Sequence, residues 1–200
     1  MAEMEGTAKA GRPRLYSYWR SSCSHRARIA LNFKGVEYEY KAVNLLKGEQ
    51  SDPGVLYLED KFPNPPLLPQ DPKKKALNHQ IANIVSSGIQ PLHNLTVLRF
   101  IDQKIGAGES VSWTQQQIER GFTAIENLIQ LKGCAGKYAT GDEVQLADVF
   151  LAPQIFAAIE RTKIDMSNYP TLARLHDEYM AHPAFQAALP DRQPDAPSST

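Results

Sequence analysis

The chain holds two cysteines in 200 residues, Cys23 and Cys134, far apart and with no Cys-x-x-Cys pair. That spacing argues against a disulfide framework or a sulfur-rich metal site, and it points to reduced thiols in a cytosol-like compartment. The histidines, His25, His79, His93, His176 and His182, show no metal-ligand spacing and read as surface or packing residues. There is no charge of one sign: Lys+Arg and Asp+Glu both number 22. Neither a nucleic-acid footprint nor a polybasic membrane anchor is expected from that balance. No apolar run approaches the length of a membrane span. Met1 to Arg14 carries two glutamates and no apolar run, unlike a secretory signal. What is present is a 42% hydrophobic chain, enough for a packed core in one domain or two small ones.

The most informative stretch is Leu15-Tyr16-Ser17-Tyr18-Trp19-Arg20-Ser21-Ser22-Cys23-Ser24-His25-Arg26-Ala27-Arg28-Ile29-Ala30-Leu31. Tyr16, Tyr18 and Trp19 favour a strand. Cys23, Ala27, Ala30 and Leu31 then fall at helical spacing, joined by Ile29 and Phe33. Ser21 and Ser22 therefore stand at a helix start, where a hydroxyl accepts from first-turn amides. The same amides and the helix dipole attract anions, and a thiolate placed there is stabilised. On local sequence alone the two serines read equally as plain caps, Cys23 as a small core residue, and Arg26 and Arg28 as a solvated helix face.

Tyr16 to Leu31, above all Ser-Ser-Cys followed by Arg-x-Arg-Ile-Ala-Leu, resembles the signature of zeta-class glutathione transferases, also known as maleylacetoacetate isomerases. The resemblance extends to Gly88-Ile89-Gln90-Pro91-Leu92-His93-Asn94-Leu95, to Gly141-Asp142-Glu143 through Ala147-Asp148, and to Arg192-Gln193-Pro194-Asp195.

Taken in order, Arg14 to Trp19 is a strand, Ser22 or Cys23 to about Lys34 a helix with Gly35 as left-handed cap, and Val36 to Asn44 a second strand. Short connections make this a parallel βαβ unit. It matches the opening of a thioredoxin-like glutathione-binding domain. The chain then departs from the family. Asn44 to Gly54 runs straight into Val55 to Pro63, which resembles the end of the family's third helix, with no hairpin between. No Val-Pro dipeptide occurs, so the family's cis-proline, whose neighbouring valine pairs with glutathione, is missing. The acidic-or-amide residue plus serine that holds the γ-glutamyl end is missing as well. An internal segment is absent, which leaves a two-stranded sheet, marginal unless covered, with its first strand an edge.

Phe62 to Pro72 is Pro-rich and reads as the boundary between residues 12–63 and an all-α part, 73–190, followed by a loose tail from 191. Leu77 to Ile105 carries one helical stripe with a kink at Pro91. Ser112 and Gln115 form a capping-box pattern opening a helix closed by Gly133. Leu146 to Ile159 is apolar nearly all round, with Pro153 inside, and belongs in the core. Its start carries Gln145, a poor cap, where many transferases have Ser or Thr. Another helix opens at Tyr169-Pro170-Thr171 and breaks at His182-Pro183, and Ala184 to Leu189 is a last short turn. The expected class is α+β, mostly α: a truncated thioredoxin-like βαβ unit followed by an all-α transferase domain.

The resemblance implies glutathione as co-substrate in the cis-trans isomerisation of maleylacetoacetate to fumarylacetoacetate, in tyrosine and phenylalanine breakdown. It also implies dehalogenation of small α-haloacids. It assigns the thiolate contact to Ser21, with Ser22 and Cys23 in support. It gives glutathione contacts to Gln50, Gln90 and Asn94, and a substrate carboxylate contact to Arg161. Gln90 reads equally as filling the groove beside Pro91. Family members are usually cytoplasmic homodimers, and the missing segment contributes to that interface. Two other readings stay open: a non-catalytic binding or interaction protein, supported by the missing segment, and a one-cysteine thiol exchanger using Cys23.

Overall fold

The computed structural model of the chain describes residues 12–43 and 55–197. Strand β1, Arg14–Ser17, pairs in parallel with β2, Glu39–Ala42, in the register Arg14 to Glu39 through Ser17 to Ala42. Both are shorter than the sequence predicts, because Tyr18–Arg20 turns into the helix and residues 36–38 are not paired as strand. Helix α1, Ser22–Phe33, crosses between them. Its end is a Schellman closure: Val36 N–H donates to Leu31 O at 2.9 Å and Gly35 N–H to Asn32 O at 3.1 Å. Gly35 sits at φ +63, a conformation that favours glycine.

Seven consecutive α1 residues, His25 to Leu31, are buried. Such a helix is surrounded, and α1 packs against α2 (Val55–Lys61), α6 (Leu146–Ala157) and α8 (Pro183–Ala187). The helical part thereby covers α1 and not the whole sheet: Ser17 alone of the two strands is buried, and Tyr16 is exposed. Lys34, just past α1, donates to Glu59 Oε2 on α2 and to Phe62 O at 2.7 Å each, and to Pro65 O at 2.9 Å. Glu59 also accepts from the amides of Leu67 and Leu68. This knot seats the Pro-rich stretch, and Leu67 behind it is fully buried.

The single kinked helix expected over 77–105 is instead a relay. Helix α3, Pro72–Asn83, passes into a π-turn, Ile84–Ile89, then a 3₁₀ turn, Gln90–His93. Pro91 offers no N–H to an α-ladder, and Asn94 recaps a new helix α4, Leu95–Lys104, by accepting from Val97 N at 3.0 Å.

Helix α5, Glu109–Lys132, starts ahead of the expected Ser112–Gln115 box, which does not cap it. Asp102 on α4 takes that role, accepting from the amides of Gly108 and Ser110 and from the Ser110 hydroxyl. Gln115 reaches across to donate to Thr162 O. Ile118, Phe122, Ile125 and Ile129 form the buried stripe of α5 as the spacing predicts.

The start of α6 corrects the weak cap expected at Gln145. Asn78 on α3 accepts from Ala147 N–H at 2.9 Å and donates to Gln145 Oε1 at 2.7 Å. Asp148 Oδ2 accepts from Gln145 N at 2.8 Å. Helix α7, Pro170–Ala181, and α8 close the core. Residues 191–195 also differ from the loose tail expected there. A 3₁₀ turn, Pro190–Arg192, is followed by Gln193, which donates to Ala187 O and Leu189 O, and by Asp195, which returns to the sheet. No helix among the described residues is long and apolar enough to cross a membrane.

Candidate active site at the start of the first helix

Ser21 is the N-cap of α1, extended at φ −73 and ψ 123, and its hydroxyl oxygen accepts from Ser24 N–H at 3.2 Å. The capping role is therefore real, and it leaves the hydroxyl proton available to donate. Ser22 and Cys23 follow as the first helical residues, whose amides have no acceptor within a helix by geometry. There is no acid in the first turn. Hydroxyl proton, first-turn amides and the positive helix end converge on one half-buried spot suited to an anion.

The turn before Ser21 is held from three directions. Arg28 is fully buried and donates to Ser17 Oγ at 3.0 Å, Tyr18 O at 3.4 Å, Trp19 O at 3.1 Å and Ala188 O at 3.0 Å. Asp195 accepts from Trp19 N–H at 2.9 Å and from the Tyr40 hydroxyl at 2.5 Å. Burial and that carboxylate push Tyr40 up to about 12. Arg161, from the turn Ala158–Thr162 after α6, donates to Arg20 O at 2.6 Å.

Arg161 thus comes to the Ser21 turn from 141 residues away, with its residue surface exposed. Protein packed around its head group and the positive charge of Arg20 lower it to about 10, so it remains a cation at neutral pH. His25, edge-on to Phe156 at 5.9 Å, is held well below the usual histidine range by burial, and by the charges of Arg28, Arg161 and Arg26. It is a neutral packing residue.

Residues 13–77 match the glutathione S-transferase N-terminal domain family. Over 213 aligned positions the chain is 52% identical to glutathione S-transferase Z1 of Arabidopsis thaliana, covering 94% of this chain and 96% of that one. The chain belongs to the zeta class of glutathione S-transferases. It is also 43% identical to maleylacetoacetate isomerase of Rattus norvegicus, covering 95% of this chain and 98% of that one. A maleylacetoacetate isomerase from Anaeromyxobacter dehalogenans, solved with dicarboxyethyl glutathione and citrate in its active site, superposes with a TM-score of 0.85 at 38% identity. It covers 92% of this chain and 94% of that one. The fold is accordingly a thioredoxin-like N-terminal unit, here with a two-stranded sheet among the described residues, joined to the helical transferase domain. The 213 positions aligned to the Arabidopsis protein exceed 94% of 200 residues by about 25, so an internal gap separates this zeta-class chain from that relative.

The other assigned residues are placed less directly. Gln90 is half-buried at the junction of the π-turn and the 3₁₀ turn, its backbone N–H bonded to Val85 O. Asn94 is exposed and its amide is spent locally, accepting from Val97 N and donating to Pro91 O at 2.8 Å, so its position is that of a cap. Gln50 lies outside the described residues. Sequence reasoning missed Arg28 and Asp195. Arg28 reads as a solvated face, and so does Arg26, yet both are buried. The available signal was a pair of arginines leading directly into the apolar run Ile29-Ala30-Leu31. For Asp195 it was the Arg-Gln-Pro-Asp motif itself.

Proposed function

We propose that this chain is a glutathione-dependent isomerase of the zeta class, acting on small carboxylates such as maleylacetoacetate, with Ser21 at the reacting sulfur. The observation that carries the reading is Ser21 itself: its oxygen is committed to Ser24 N–H while its proton is not. Glutathione supplies a thiolate that adds to the cis double bond, lets the resulting single bond rotate, and is expelled as the trans double bond reforms. The same thiolate displaces halide from a small α-haloacid. The Ser21 hydroxyl donates to the sulfur and, with the amides of Ser22 and Cys23, holds it as the anion without a strong base. Arg161 pairs a substrate carboxylate beside Arg20, a use suited to a planar fork of donors. Gln90 lines the other wall. In this reading the Pro-rich residues 64–72 divide the two domains, the enzyme is cytoplasmic, and it pairs as a homodimer. Relatives solved with glutathione or with citrate support the ligand classes.

The internal gap favours a second reading, a non-catalytic binding protein, because loss of a backbone clamp on glutathione weakens its binding. Calorimetric titration of the purified chain with glutathione, paired with a maleylacetoacetate assay, separates the two. The enzyme reading expects binding at millimolar dissociation constant or tighter and measurable turnover. It also expects Ser21→Ala to remove most of the turnover while costing only about 1 kcal/mol of stability as a lost cap. A folded chain with no glutathione binding would leave the second reading.

A further inference from the structure

Arg26 stands three residues after Cys23 on α1, on the same face and about 4.5 Å further along the axis. It is 5% exposed. Its guanidinium lies over the Phe150 ring of α6, with 4.7 Å from Cζ to the ring centroid. Neither Nε nor Nη2 has a hydrogen-bond partner among the described residues. Those two nitrogens form one edge of the guanidinium, and their parallel N–H bonds match the two oxygens of a carboxylate. The contrast with Arg28 is instructive: that guanidinium is equally buried but spends its nitrogens on four oxygens of the chain. No aspartate or glutamate among the described residues forms an ion pair with Arg26.

Two further polar side chains, one of which feels the charge of Arg26, leave buried atoms without a partner among the described residues. Gln154 lies one turn beyond Phe150 on α6, is fully buried, and has a partner for neither Nε2 nor Oε1. His93, from the 3₁₀ turn after Gln90, leaves Nε2 without a partner. It is within reach of the Gln154 side chain, with which it can pair, and burial, then the charges of Arg161 and Arg26, hold it low against that pairing, as a neutral ring. A buried guanidinium edge without an acceptor is strongly unfavourable unless something fills it. A structural role alone would be expected to supply oxygens from the chain, as it does for Arg28.

We propose that Arg26, Gln154 and His93 form a buried subsite for a carboxylate, one helical turn beyond Cys23. The ligand's identity as the small electrophile rests on the function proposed above. The guanidinium edge takes both carboxylate oxygens, and the Gln154 amide and the His93 ring donate to the same group. Arg161, held at the Arg20 turn, is then a second cationic post. A dicarboxylate spanning the two posts lies across the start of α1, with its central carbons presented to the sulfur site at Ser21.

The test uses the full chain, with maleate as probe, titrated calorimetrically in the absence of glutathione, alongside sulfate at matched ionic strength. Wild type is expected to bind maleate. Arg26→Met should weaken maleate by about tenfold or more, and Arg26→Lys should also weaken it severalfold, because an ammonium cannot present two parallel N–H bonds. Both variants should bind glutathione within about twofold of wild type. Without ligand, Arg26→Met should melt at or above the wild-type temperature, since it removes an unpaired buried charge. Maleate binding unchanged in both variants would overturn the subsite. So would sulfate binding as tight as maleate, or an Arg26→Met protein that melts lower and loses both ligands, which marks a structural arginine. Arg26-dependent maleate binding without glutathione binding would refute the role given to Ser21 and leave the subsite standing.

Discussion

Lys34 Nζ lies 2.7 Å from Glu59 Oε2, with no part of the lysine side chain exposed and 14% of the glutamate's. The pair joins the end of α1 to α2 and, through Phe62, Pro65, Leu67 and Leu68, to the Pro-rich stretch. It secures the helix whose other end carries Ser21. Glu59→Ala leaves the ammonium buried and two amides without an acceptor, and should cost about 3–5 kcal/mol in urea unfolding. Glu59→Gln keeps an acceptor for the amides and should cost less.

Asn78 bridges α3 and α6 through Ala147 N, Gln145 Oε1 and the Thr140 hydroxyl, all inside the protein. Asn78→Ala should lower stability by about 2–3 kcal/mol, since it orphans buried groups. The same chemistry on the surface is the control. Asp71 caps α3 by accepting from Lys74 N at 2.8 Å in an exposed setting, and Asp71→Ala should cost about 0.5–1 kcal/mol. Equal losses in denaturant titrations would contradict the difference in burial.

Asp148 is fully buried, and burial raises it to about 6 although Ala139 N, Gln145 N and the Tyr179 hydroxyl all donate to it. Its folded value lies above its unfolded one, so between about pH 4 and pH 6 the native state binds more protons. The contribution from this group is complete below pH 4 and lost as pH rises through 6, by up to about 3 kcal/mol. Unfolding curves of wild type minus Asp148→Asn across pH 4 to 7 should show the wild-type advantage shrinking with rising pH. An advantage that grows would refute the raised value.

Gly121 on α5 faces Ile89, and a Cβ built at Gly121 would collide with the Ile89 side chain. Ile89 ends the π-turn immediately before Gln90. Gly121→Ala should cost about 1–3 kcal/mol by overpacking, and if Gln90 contacts glutathione as proposed, the shifted π-turn should also weaken glutathione binding. Adding Ile89→Val should recover part of the stability. No change in melting temperature for Gly121→Ala would show that the π-turn yields freely.

Much of the frame was legible along the chain. A strand ahead of the first helix (though without Tyr18 and Trp19), Ser21 as cap, Gly35 as a left-handed end, Gly133 closing a helix, the Ile118-Phe122-Ile125-Ile129 stripe and Pro170 at a helix start all follow from spacing and local conformational preference. Those signals act within a turn or two of helix, so a sequence carries them whole. Capping across the fold did not show. Asp102 displaced the Ser112–Gln115 box, and Asn78 rescued the poor cap at Gln145, from 67 residues away.

The arginines mark the same division within the site. The sequence determined that Ser21, Ser22 and Cys23 would begin a helix with a positive end, because capping chemistry is local. Only the tertiary structure decided that Arg28 would be buried on four oxygens, that Asp195 would hold Trp19, that Arg161 would reach Arg20, and that Arg26 would be buried with one edge unpaired. A charge in a helix is solvated or buried according to what the rest of the chain brings against it: the acceptors for Arg28 come from residues 17–19 and from Ala188, and the wall over Arg26 arrives from α6.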